Sequence, residues 1–294
     1  MPSHPLAEIF GFPYDNLSQK AERYRRLQLC PYHNKVPSCT KNSAKHPLGV
    51  CSIFEKDAPV ITCPIRFRED WTIIEDAARF LFPSASHHFT SLAEIRLTDG
   101  DGNTAGNIDF VLVSLDKHGN ITDFGALEVQ AVYISGNISQ PFEHYIQNRH
   151  THHDFTWPGM ARPDFLSSSR KRLVPQLIYK GRILQAWKKK IAVAIQDSFY
   201  ATLPELPIVP PEEADVAWFI YKLAYNASDA AYHLTNHSVI YTSFQDAFDT
   251  ITTPRIGKIG EFLSVLQKKL EEEKSIYPPI TQTLLDTTSE EESL

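Results

Sequence analysis

No apolar run in this chain approaches the ~20 residues that a helix needs to cross a bilayer, so no membrane partner is expected. The start, MPSHPLAEIFGFPYDN, lacks the charged-then-apolar pattern of a secretory leader, and a cytoplasmic location is the expectation. No internal repeat is visible, which excludes a solenoid reading. Positive charge is not in excess: 29 Lys and Arg face 35 Asp and Glu, a net charge of −6. That balance argues against a surface wholly coated for nucleic acid. Cysteine is missing from 260 of the 294 residues, because all four lie within one 34-residue window.

What is present describes an ordinary globular protein, 42% hydrophobic and 22% charged. Its length suffices for one large domain or two small ones. The charge is unevenly spread. From Arg162 to Lys190 nine basic residues stand against the single acid Asp164, while Glu271–Glu273 and Glu290–Glu292 provide the acidic counterweight. A run of like charge is either a solvated helix face or a binding groove, and by itself it does not choose.

Periodicity and turn chemistry give a coarse order of elements. Residues 16–29 read as a helix with Asn16 and Ser18 as potential caps. Residues 30–69 read as irregular, with prolines at 31, 37, 47, 59 and 64. A second helix over 70–82 carries Trp71, Ile74, Ala78 and Leu81 at helical spacing and stops at Pro83. Strands follow at 92–98, 107–115 and 121–134, joined by the turn segments DGDGNTAG and DKHGN. After a His-rich loop comes a helix from about Val174 to Trp187, which Gly181 weakens. A strand at 191–196, apolar stretches at 215–225 and 238–242, and an amphipathic helix at 258–274 complete the pass. Helix, three strands, helix, strand implies an α/β layered domain. Three regions are expected: an N-terminal helix and cysteine segment (1–69), a core with C-terminal elaborations (70–280), and a disordered acidic tail (281–294).

Cys30, Cys39, Cys51 and Cys63 are separated by eight, eleven and eleven residues, which is not the spacing of a CxxC knuckle. Clustering suggests a shared task. Two disulfides are possible by parity, but a cytosolic compartment disfavours them. Four thiolates around a metal would staple a segment too proline-rich to hold itself together. Free thiols remain the alternative, and spacing does not choose between zinc and iron.

The strands carry acids where apolar residues are expected. Asp109 lies in NIDFVLVSL, and Glu128 and Gln130 lie in ALEVQAVYIS, on the same side of their strand because side chains alternate. A carboxylate among buried residues is costly unless it is paired or binds a metal. Asp109 and Glu128 could therefore hold Mg²⁺, which would polarise a phosphate and activate water. Gln130 would orient that water, and Glu94 in AEIRL could add a carboxylate. Gln130 brings no positive charge, so another group must help to stabilise the developing negative charge. The bland reading is a structural network, with Asp109 capping a turn.

Two rival motifs are weaker. Asp99, Asp101 and Asn103 begin like a calcium loop, but Thr104 replaces the required glycine and Phe110 the closing glutamate. His150, His152, His153 and Asp154 imitate a metallo-hydrolase signature whose last histidine is here Phe155.

The stretch LCPYHNKVPSCTKNSAKHPLGVCSIFEKDAPVITCPIRF, followed by EIRLTD, NIDFVLV, ALEVQAVYISG and RPDFLSSSRKRLVPQLIYKGRILQAW, resembles the NotI-type restriction endonucleases over residues 8–200. The joint occurrence of the four cysteines and the ExQ strand is specific; either alone would be weak. The resemblance implies a PD-(D/E)xK nuclease core and a homodimer that cuts both strands of GC-rich palindromic DNA with Mg²⁺, leaving 5′-phosphates. It places the active-site set on Glu94, Asp109, Glu128 and Gln130, with glutamine in the usual lysine position. It assigns Cys30, Cys39, Cys51 and Cys63 to a structural iron site, zinc being the other possibility.

DNA readout needs phosphate clamps and base-edge contacts. Arg170, Lys171 and Arg172 are candidates for phosphates, and Arg162 and Asp164 for the edges of a G·C pair. Asp164 could equally cap the segment that follows. The opposing reading is a non-catalytic DNA-binding protein that keeps the four-cysteine module as a structural part.

Overall fold

In the computed structural model the described residues are 4–33, 37–42, 45–83, 88–158 and 161–272. The chain up to Thr252 makes one compact unit. Within it a small sheet is built from β1 (Leu6–Ile9), β2 (Phe12–Pro13), β3 (Val50–Glu55) and β4 (Ala58–Ile61), in the order β2-β1-β3-β4. Between β2 and β3 lies helix α1 (Gln19–Arg26), whose first turn is capped by Ser18 Oγ accepting from the Ala21 N–H at 3.3 Å.

The segment 30–69, expected to be irregular, thus contains the β3–β4 hairpin and a 3₁₀ turn over Pro64–Trp71. The hairpin turns at Lys56 with φ +56°. A lysine in the left-handed region is uncommon, so the residues that normally announce such a turn are missing. Pro64 opens the 3₁₀ turn, where its missing N–H costs nothing.

Helix α2 (Thr72–Leu81) starts two residues later than its periodicity suggests, because Asp70 and Trp71 adopt φ +49° and +57° and kink the chain. A large sheet follows: β5 (Phe89–Thr98), β6 (Thr104–Leu115), β7 (Ile121–Gln130), β10 (Ile191–Gln196), β11 (Val216–Asn226) and β12 (Ala231–Thr242). Its order is β12-β11-β10-β7-β6-β5; β10 runs parallel to both β7 and β11, and the other pairs are antiparallel. The segment that begins like a calcium loop is a polar hairpin turn, as its turn chemistry suggests, with Asp99 Oδ1 accepting from the Asp101 and Asn103 N–H groups.

The strand expected over 121–134 divides in two. β7 leaves the large sheet after Gln130, and β8 (Tyr133–Ser135) pairs with β9 (Arg162–Asp164) in a separate ribbon. The break is filled by the Val132 N–H donating to Ile61 O at 2.9 Å, which joins the small sheet to the large one. Gln196 makes a second joint, accepting from the Ile61 N–H and donating to Pro59 O.

Between β8 and β9 the expected loop holds helix α3 (Ser139–Asn148). Asn137 Oδ1 accepts from the Ser139 and Gln140 N–H groups, and Pro141 sits in the first turn, where a helix tolerates it. Tyr145 is fully buried and donates its hydroxyl to Tyr14 O at 2.5 Å.

The large sheet is covered on both faces. Ile73, Ile74, Ala77, Ala78 and Leu81 of α2 pack on one face against Phe110, Leu112, Leu127, Ala192 and Ala217. On the other, Leu173, Leu177 and Leu184 pack against Val111, Val113, Val193 and Ile195. They belong to a helical stretch over 165–186 that includes two π turns, Ser169–Leu173 and Leu177–Gly181. Gly181, which weakens the helix by propensity, has a packing reason: a Cβ there would meet the Phe244 ring at 2.3 Å. Burial on both faces explains why IAVAIQ reads as an unbroken apolar run. The result is a mixed α/β fold, and the order α2, β5, β6, β7, helical stretch, β10 lies at its centre.

Helix Ile259–Glu272 belongs to a second unit. The acidic tail 281–294 falls outside the described residues. Among the described residues no helix is long and apolar enough to cross a membrane.

Candidate active site and cysteine cavity

Asp109 and Glu128 meet because of strand register. β6 and β7 pair Phe110 with Leu127, so the next cross-strand position brings Asp109 opposite Glu128, on the same face of the sheet. Asp109 Oδ2 accepts from the Val129 N–H at 2.8 Å, taking the place of a ladder bond. Glu128 Oε2 accepts from Lys180 Nζ at 2.6 Å, while Glu128 Oε1 is buried with no donor among the described residues.

Burial pushes the Glu128 carboxyl up to about 8, and the neighbouring Asp109 charge adds to the rise; Lys180 pulls the other way. Asp109 is also raised, chiefly by burial, against the pull of the Val129 N–H and Lys180. Two acids buried side by side hold protons more tightly than free carboxyls despite the charges of Lys180 and Arg68, and a bound cation would act in the opposite direction.

Gln130 follows on the same side of β7, buried, with Nε2 donating to Ala131 O at 2.7 Å. Glu94 lies on β5 between Ala93, paired with Phe110, and Ile95, paired with Ile108, which sets it beside Asp109 at the sheet edge. It is exposed and held at φ +57°, a backbone conformation that clusters at functional sites. The charges of both Glu94 and Asp109 act on Arg68, whose guanidinium lies 5.0 Å from the centre of the Phe110 ring.

A cavity of about 440 Å³ opens on this place. Asp109, Gln130, Arg172 and Gln176 line it from the core, and Lys41, Thr62 and Pro64 from the cysteine segment. Of the five candidates for DNA contact, Arg172 lines the cavity, stacked 3.8 Å from the Tyr133 ring centre. Arg162, Arg170 and Lys171 are exposed elsewhere on the surface. Asp164 acts as a helix cap: its Oδ1 accepts from the Ser167 N–H at 2.9 Å, and that bond holds its carboxyl below the usual range.

The four cysteines are free thiols that line one cavity of about 280 Å³ with Phe10, Tyr32 and Arg66. Burial pushes the Cys30 thiol up to about 11 and raises those of Cys39 and Cys51, and the other cysteines act in the same direction. Among the described residues no three or more His, Cys, Asp or Glu side chains form a group that could hold a metal ion. The thiols therefore share a cavity without a formed ligating cluster. His150, by contrast, lies at the surface against Glu22, 3.2 Å away, and joins no such group.

The residue that the sequence reading missed is Lys180. The signal was present: it is a lysine on the same stripe as Leu177 and Leu184, where a solvated charge has no place.

Compared with models of protein families, residues 15–234 match the one described as restriction endonuclease NotI. That span holds the four cysteines, both acids, Gln130 and Lys180. No curated protein matches the chain.

Proposed function

Because the chain belongs to the NotI restriction endonuclease family, whose members are site-specific deoxyribonucleases, we propose that it makes Mg²⁺-dependent double-strand cuts in a GC-rich palindrome. The ends carry 5′-phosphates and 3′-hydroxyls. The observation that carries this reading is the apposition of Asp109 and Glu128, one oxygen of each held and Glu128 Oε1 left without a donor. The central helix, three strands, helix and strand then serve as a PD-(D/E)xK core.

Asp109 and Glu128 would hold the Mg²⁺, with Glu94 as a further carboxylate. When bound, the ion supplies Lewis acidity toward the scissile phosphate and lowers the pKa of water. Gln130, anchored through Nε2 to Ala131 O, presents its amide oxygen as the acceptor that orients the attacking water. Arg172 faces the same cavity and supplies positive charge that Gln130 lacks. Arg162, Arg170 and Lys171 contact DNA outside the cavity, and Asp164 reads a base only if its cap to Ser167 opens. A palindrome is cut symmetrically by a two-fold homodimer.

Cys30, Cys39, Cys51 and Cys63 would hold a structural iron, or zinc, which four thiolates suit. Their shared cavity supports that assignment, and a bound cation would favour the thiolates against the burial that raises the thiols.

The test is incubation with long GC-rich duplex DNA with and without Mg²⁺, followed by sequencing of the fragment ends. Discrete fragments are expected with Mg²⁺ alone, and Glu128→Ala is expected to stop cutting while it still binds DNA in Ca²⁺. Retention of DNA without cleavage by the unaltered protein would instead mark a binding protein. Undiminished cutting by the Glu128→Ala variant would remove the active-site assignment.

A further inference from the structure

Lys180 sits in the wall of this site without opening onto its cavity. Its side chain is 4% exposed and that of Glu128 5%, so neither end of the pair is solvated. Burying an ammonium is expensive unless its protons are taken up, and two acceptors take them: Glu128 Oε2 at 2.6 Å and Asn107 O at 2.8 Å. Asn107 lies on β6, two residues before Asp109. The lysine therefore ties the strand of one acid to the carboxylate of the other.

The local fold is shaped to admit it. Lys180 belongs to the π turn Leu177–Gly181, and such wide turns are frequent at functional sites. Gly181 lets the helix approach Phe244, and Gly106, at φ +103°, stands just 4.0 Å from the lysine stem at the position a Cβ would take. Lys180 is thereby buried between the helical stretch and the sheet, in ordinary contact with Gly106.

We propose that Lys180 is a positioning residue of the nuclease site, which fixes the Glu128 carboxylate so that its free oxygen is presented, beside Asp109, to the divalent ion. The inference rests on the reading of Asp109 and Glu128 as the Mg²⁺ ligands. Asp109 has its own pin in the Val129 N–H. Lys180 is the corresponding pin for Glu128, supplied from a helix 52 residues away in sequence. Without it the carboxylate is free to turn, and Glu128 Oε1 loses its fixed place beside Asp109.

Groups that orient metal ligands typically contribute about 10–100-fold in metal affinity or activity. Mn²⁺ is the probe, its binding followed by electron paramagnetic resonance on the full chain, with Glu128→Ala defining the signal that belongs to this site. Lys180→Met is expected to weaken Mn²⁺ by about 10–100-fold and to slow cleavage at fixed Mg²⁺, with partial recovery at high Mg²⁺. DNA affinity without divalent ions stays unchanged. Lys180→Leu, which likewise has no donor, serves the same comparison if the methionine variant melts below assay temperature. Wild-type Mn²⁺ affinity in the neutral variant would overturn the proposal. So would tighter binding, which would make Lys180 a competitor of the ion. Continued cutting by Glu128→Ala would instead sink the underlying reading of the acids, so the two failures are distinct.

Discussion

Arg66→Met would test how the cysteine segment is fixed to the rest of the molecule. Arg66 and Glu8 are both fully buried, with Nε 3.0 Å from Glu8 Oε1. The same guanidinium donates to Glu69 Oε2 at 2.7 Å and to Tyr232 O at 2.8 Å, and lies 4.4 Å from the Tyr32 ring centre. Glu8 is on β1 and Tyr232 on β12, so one side chain joins the small sheet to the far edge of the large one. Truncation leaves Glu8 buried with the Ser52 hydroxyl as its remaining side-chain donor among the described residues. Removing one partner of a buried pair costs about 3–5 kcal/mol, and in a unit of this size that lowers the melting temperature by about 6–20 °C. The double variant Glu8→Leu/Arg66→Met removes the stranded charge as well and is expected to regain about 2 kcal/mol. Urea unfolding of the wild type, both single variants and the double measures the cycle. A methionine variant within about 1 kcal/mol of wild type would refute the reasoning, as would strict additivity, which contacting residues do not normally show.

Two further perturbations follow from the same segment. Cys51→Ser is expected to lower both bound metal, measured by elemental analysis, and thermal stability; a fully stable, metal-free protein of unchanged activity would make the four cysteines ordinary buried thiols. His4 is held neutral by burial, its pKa lowered to about 4, with Nδ1 accepting from the Leu6 N–H at 3.2 Å. The folded chain then binds fewer protons at His4 than the unfolded chain, so stability is lost as pH falls from about 6.5 toward 4. Replacing His4 by leucine should flatten the melting temperature over that range, and an unchanged slope would locate the acid sensitivity elsewhere.

The parts of the fold that the sequence made legible are those in which one physical rule acts alone. IAVAIQ is buried on both faces and its bounds emerge intact, whereas α2 is read as starting two residues too early because a left-handed Asp70 and Trp71 leave no mark in periodicity. The β3–β4 hairpin stayed hidden behind a left-handed Lys56, and α3 behind Pro141, which reads as a breaker but sits where a helix accepts it. β8 looked like an extension of β7 because its exit from the large sheet is set by Ile61, more than sixty residues upstream.

The candidate site divides along the same line. Asp109, Glu128 and Gln130 stand out because a carboxylate in a buried strand violates the local pattern, and period two says which of them share a face. Lys180 violates its own pattern just as plainly, yet it lies within a run of nine basic residues in which any one lysine is unremarked. Its partner is 52 residues away, and the lysine becomes distinct only when the helix is laid on the sheet. Composition gathers the positive charge in one segment, and register sets the acids on one face. What neither supplies is the packing of the helical stretch on the sheet, which brings Lys180 Nζ to Glu128 Oε2 and Asn107 O and turns one surface-like lysine into a buried counter-ion. An alanine at Gly181, whose Cβ would meet the Phe244 ring at 2.3 Å, should therefore shift the turn that carries Lys180 and loosen its hold on Glu128, which a weaker Mn²⁺ affinity with unchanged circular dichroism of the sheet would report.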